Sequence, residues 1–144
     1  MGDYEMIFRV DVDAPRDAAL AALTTESGIK GWWTDRASVP DTVGAILEFS
    51  FPDMPQPFDM ELVERSDSRV GWRSRSFPPP WAGTLVAWEL ADNPEGPGTR
   101  IDMRHGGWDR DNPMIGIVTV GWGQMLGHLK GFLESGRPQP FFTN

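Results

Sequence analysis

Two histidines, an excess of carboxylates and a dense set of tryptophans are the side chains with which this chain could do chemistry. His105 follows Ile101 and Met103 on the apolar side of an alternating stretch, so it faces inward. A neutral imidazole there could bond a ligand or pass a proton. The commoner role of such a histidine is a structural one, tied to a backbone carbonyl. His128 falls off the apolar stripe of its helix and is expected at the surface. Two isolated histidines make no metal site, and the chain has no cysteine to add thiolate ligands, a thiol nucleophile or a disulfide. The carboxylates sit at outward strand positions or in turns, as Asp109 and Asp111 do, where solvation accounts for them better than paired acid and base work. No glycine-rich stretch has the spacing of a nucleotide-binding loop. No cofactor is expected.

The apolar inventory carries more information. Seven Trp and eight Phe in 144 residues exceed what a small core needs, and each indole N–H wants a partner or a wet edge. Strand alternation, the end of the helical bracket and the closing helix together direct one set of large side chains inward: Trp33, Phe49, Phe51, Phe58, Met60, Trp72, Trp88, Met103, His105, Trp122 and Met125. These are the candidate ligand-binding residues, and the methionines would let such a wall adapt to several shapes.

The elements that position them are legible. Tyr4–Asp13 alternates as a half-buried strand, and Asp13-Ala14-Pro15 opens a helix with Asp13 as its expected cap. Residues 24–31 form a second short helix. Five alternating stretches follow at 45–51, 58–65, 69–76, 84–90 and 99–108, which is the pattern of antiparallel strands with one dry face. The chain ends in a long amphipathic helix, with Asn112 as cap, Pro113 in the first turn and Gly136 at the left-handed stop. Its stripe is Ile115, Val118, Trp122, Leu126, Leu129 and Leu133. Gly116, Gly123, Gly127 and Gly131 lie off that stripe, where close approach by another backbone, in self-association or against the chain ends, or a pliable helix would account for them. In a meander, alternate loops share one end. The proline-rich, aromatic loops 52–57, 77–83 and 106–112 therefore gather into an expected mouth.

The whole chain reads as one domain, 1–144, with 40% hydrophobic and 24% charged residues. A net charge of −8 sets nucleic acid and anionic membranes aside as partners, and no segment has the length of a membrane helix. A cytoplasmic location is the expectation.

Four stretches resemble the helix-grip superfamily of START, Bet v 1-type and polyketide cyclase domains (SRPBCC). They are Val10-x-Val12-x-Ala14-Pro15, Trp32-Trp33-Thr34, Val86-x-Trp88-x-Leu90 with Gly98-Thr99-Arg100-Ile101, and Gly121-Trp122 through Leu126, Leu129-Lys130 and Leu133-Glu134-x-Gly136. More narrowly they resemble the branch typified by the activator of the Hsp90 ATPase. The resemblance implies an α+β fold: a curved antiparallel sheet of six or seven strands around a long C-terminal helix, with two short helices after the first strand. It implies a hydrophobic cavity between sheet and helix. The expected function is binding of a lipid, polyketide or aromatic metabolite there, and binding is favoured over catalysis. The alternatives are a polyketide cyclase or dehydratase with His105 as proton carrier, and a chaperone-associated interaction module. A hydrophobic small molecule is the expected partner, a homodimer is compatible, and a chaperone ranks last because the name-giving co-chaperones carry an additional domain.

Overall fold

The computed structural model describes residues 2–144. β1 (Tyr4–Val12) is followed by two short helices, α1 (Arg16–Thr24) and α2 (Glu26–Trp32). Six strands then run as a meander: β2 (Ala37–Ser38), β3 (Ile46–Phe49), β4 (Phe58–Arg65), β5 (Arg69–Ser74), β6 (Leu85–Asp92) and β7 (Thr99–Trp108). The long helix α3 (Met114–Ser135) comes next. The sheet order is β1-β7-β6-β5-β4-β3-β2, antiparallel throughout, so the first strand closes beside the last. This is the α+β helix-grip architecture.

The alternation that marks the strands also divides the sheet faces. Leu62, Trp72, Val86, Trp88, Ile101 and Met103 are buried on the inner face. The outer face carries arginine–carboxylate pairs across neighbouring strands. Arg9 meets Asp102 at 2.7 Å, Arg100 meets Asp11 at 2.9 Å, and Arg69 bridges Glu64 and Glu89. These carboxylates are thus counter-charges on a solvated surface.

α3 begins and ends as its sequence requires. The Asn112 side-chain oxygen accepts from the Met114 N–H at 2.9 Å. Gly136 stands at φ 72°, and its N–H donates to the Phe132 carbonyl. The α1 cap differs from expectation. The capping position falls on Pro15, which offers no side-chain acceptor, while the Asp13 N–H donates to Glu134 at 2.9 Å and ties β1 to α3. α2 has a true cap, Thr25, whose hydroxyl oxygen accepts from the Gly28 N–H.

Beyond α3 the chain turns back. Gln139, Phe141 and Phe142 donate backbone N–H groups to the carbonyls of Gly31, Trp32 and Trp33. This return brings Gln139 O within 2.7 Å of His128 Nδ1 and sets Phe141 edge-on to the His128 ring. His128 is consequently half-buried rather than free at the surface.

Candidate functional site

The space between sheet and α3 is occupied mainly by indoles. Trp33 stacks on Trp72 with centroids 5.9 Å apart and planes 3° apart. Trp88 stands edge-on to Trp32, Trp72 and Trp122. All of these are buried, as are Phe49, Met60 and Met103. The indole N–H groups of Trp33, Trp72, Trp88 and Trp108, with the Ser74 hydroxyl, have no hydrogen-bond partner. The rings of Trp33, Trp72 and Trp88 pack against other aromatic rings.

Room for a guest remains at one side of this cluster. A cleft of about 180 Å³ lies where the β3–β4 loop, the β5–β6 loop, the first half of α3 and the returning C-terminal segment meet. Phe51, Pro52, Met54 and Phe58 form one wall, Trp81 the next, and Val118, Gly121 and Met125 of α3 the third. Trp33 and Phe142 complete it. The ring walls are arranged edge to face: Phe51 on Phe58 at 4.6 Å, Phe51 on Phe142 at 5.0 Å, and Phe58 on Trp81 at 5.2 Å. None of the ten lining residues carries a titratable side chain.

The structure therefore separates the eleven residues that the sequence pattern groups together. Trp33, Phe51, Phe58 and Met125 line the cleft. Phe49, Met60, Trp72, Trp88, Met103, His105 and Trp122 pack behind it, away from the opening. The physical reason is volume: the large inward rings consume the hollow that their common orientation implies. Pro52, Met54 and Trp81 belong to loops that the sequence marks as the mouth, though alternation does not single them out. Val118 is on the stripe of α3. Gly121 and Phe142 carry no apolar periodicity that would reveal them.

His105 is fully buried and both its nitrogens are engaged. Trp122 Nε1–H donates to Nδ1 at 3.0 Å, which leaves the ring proton on Nε2. Nε2–H donates to Thr84 Oγ1 at 2.8 Å, and that hydroxyl donates to the Trp81 carbonyl at 2.7 Å. Burial lowers the imidazole pKa from 6.5 to about 3, so the ring is neutral. The arrangement gives His105 no free nitrogen for a guest and no proton to pass to one. Instead it ties α3 and β7, through Thr84 of the β5–β6 loop, to Trp81, a wall of the cleft.

Asp59 performs a similar service for the same loop. Its carboxylate accepts from the Ser76 hydroxyl at 2.6 Å and from the Phe77 and Ser76 N–H groups at 2.7 and 3.2 Å. Burial pushes its pKa up, but these hydrogen bonds prevail and hold it below the ordinary value. Among the described residues no group of three or more His, Asp or Glu could hold a metal ion, and no helix is long and apolar enough to cross a membrane.

Solved structures match the fold over nearly its whole length. The solution structure of the Aha1 dimer from Colwellia psychrerythraea is 25% identical, with a TM-score of 0.83 over 92% of this chain and 98% of that one. A protein in the dynemicin biosynthetic locus (DynU16) is 26% identical with a TM-score of 0.83; it covers 99% of this chain, which spans 51% of its length. A Staphylococcus saprophyticus protein at 17% identity and TM-score 0.79 shares the fold over 97% of this chain and 98% of its own. Comparison with curated proteins finds no match. The family model described as activator of Hsp90 ATPase homolog 1-like protein matches residues 13–134, and with the helix-grip architecture around them the chain belongs to that family of SRPBCC type.

Proposed function

We propose that this protein binds a hydrophobic small molecule in the cleft between the loop end of the sheet and α3. The observation that carries the reading is a wall of five aromatic rings and two methionines, without one ionisable side chain, left open at one side of a filled core. Apolar surface removed from water there contributes about 25 cal/mol per Å², so ~200 Å² of ligand would supply roughly 5 kcal/mol before the costs of association. A cyclase or dehydratase needs a proton donor or acceptor at the substrate, and the cleft wall has none. Binding therefore ranks above catalysis. The kinship with a protein of a biosynthetic locus agrees with small organic molecules as cargo.

The test is a thermal-shift screen over aromatic metabolites, polyketides, fatty acids and sterols. A true ligand at 100 times its dissociation constant adds about 2.7 kcal/mol of stability. The expected result is a dose-dependent rise in Tm that is lost when Phe58 is changed to Glu at the wall. A flat response across every class would overturn the proposal.

A second reading, self-association, is favoured by the outer face of α3. Ile117 and Val120 are 66% and 64% exposed there, and from Asn112 to Leu129 there is no Asp, Glu, Lys or Arg. The similar Colwellia protein is a dimer. Sedimentation at several concentrations distinguishes monomer from dimer.

A further inference from the structure

The dimensions of the cleft narrow the guest, an inference that rests on the binding reading above. We infer that the cleft takes a neutral, flat aromatic molecule of one or two fused rings, and that Gly121 is the residue whose missing side chain leaves room for it.

Volume sets the size. An apolar cavity of about 150 Å³ accepts benzene, whereas drug-sized ligands occupy roughly 300–1,000 Å³. At about 180 Å³ the cleft lies just above the first figure and well below the second range. Sterols and long acyl chains exceed it. The chemistry of the wall sets the charge. With no ionisable or hydroxyl side chain among the lining residues, a carboxylate drawn inside would be desolvated without a partner.

The wall also favours a ring over a branched aliphatic group. Phe51, Phe58, Trp81 and Phe142 already meet one another edge to face. A planar guest has both a face and an edge to extend that array. Met54 from the β3–β4 loop and Met125 from α3 add thioethers, which make favourable contacts with aromatic rings.

Gly121 is the feature that the protein alone does not explain. Glycine inside a helix weakens it relative to alanine, through backbone entropy. A Cβ built on Gly121 meets no atom within 4 Å, so no neighbour in the fold demands glycine there. Gly116, Gly123 and Gly127 are equally unhindered, but they face solvent and do not line the cleft. At Gly121 the vacant position borders the guest's space, and any side chain there would encroach on it.

The experiment titrates 2-naphthol, indole, palmitate and cholesterol into the wild type and into Gly121→Leu, reading Kd by calorimetry and Tm without ligand. The wild type should bind 2-naphthol and indole. Gly121→Leu should keep or raise its own Tm, because leucine favours the helix, while losing ~10- to 200-fold in affinity for both probes. Gly121→Ala should fall between the two. If Gly121→Leu does not fold, Met125→Trp fills the same cleft from the next turn of the helix and should show the same loss. Unchanged affinity in the filled variants would overturn the assignment of Gly121. Binding of palmitate or cholesterol with both ring probes inert would overturn the ligand class while leaving the cleft a binding site. Silence from all four compounds would remove the binding reading itself.

Discussion

His105 illustrates how far one buried side chain can govern both the stability and the shape of a site. Its neutral ring accepts from Trp122 and donates to Thr84, and a second proton would face the indole N–H, which has nothing to accept it with. Burial lowers the folded imidazole to about 3, whereas the unfolded one titrates near 6.5. Between those values the unfolded chain binds more protons, so stability falls as pH drops through the window. The slope from this group approaches about 1.4 kcal/mol per pH unit at most. Urea midpoints measured from about pH 6.5 down to pH 5, above most carboxylate titration, should show this decline in the wild type and lose most of it in His105→Phe. An identical slope in the variant would assign the effect elsewhere. The same substitution leaves Trp122 and Thr84 without their partner and should cost about 2–4 kcal/mol at neutral pH. The inward direction of His105 was legible from Ile101 and Met103, four and two residues before it. Its partners were not, because Thr84 and Trp122 are 21 and 17 residues away and only the folded sheet brings them together.

At the scale of elements, the cleft depends on loops being held as firmly as strands. Asp59 on β4 receives three donors from Ser76 and Phe77, which fixes the entry to the loop that presents Trp81. Asp59→Ala should cost about 1–3 kcal/mol and speed hydrogen exchange at the Phe77 amide. Because the folded carboxylate titrates below its ordinary value, its contribution is present above about pH 4 and is lost as pH falls below that. The end of α3 offers a cleaner trial of backbone physics. Gly136 stands at a φ of 72°, so Gly136→Ala should destabilise by about 1 kcal/mol in a denaturant titration, and an unchanged midpoint would count against the left-handed stop. Such elements were readable where local rules decide them: the strands Phe58–Arg65 and Thr99–Trp108 by alternation, and the ends of α3 by Asn112 and Gly136. The two-residue strand Ala37–Ser38 is too short to show a period. The return of Phe141 and Phe142 onto α2 is a long-range pairing that no local pattern announces.

Across the whole molecule, alternation tells which side chains point inward but not how much room they leave. Trp33, Trp72, Trp88 and Trp122 are each directed inward by the pattern of their own element; in space they stack and cross until the centre is full, and only its margin beside Phe51, Trp81 and Gly121 stays open. The opposite side of α3 has the converse character, apolar yet uncovered. Ile117 and Val120 are exposed, and the adjoining Gly116, Gly123 and Gly127 have open space where a side chain would be. Within a single copy those glycines only weaken the helix. Replacing Gly123 and Gly127 by Ala should therefore stabilise an isolated protomer by up to about 1 kcal/mol each. If two copies pack through this face, the outcome reverses at high concentration, because added methyl groups would hold the backbones apart. Val120→Glu would place a charge at the centre of the same contact and should shift sedimentation from dimer to monomer with little change in protomer stability. A dimer that sediments unchanged in both variants would move the interface to another surface. A wild type that is monomeric at every concentration would leave the glycines to be explained by the pliability of α3 alone.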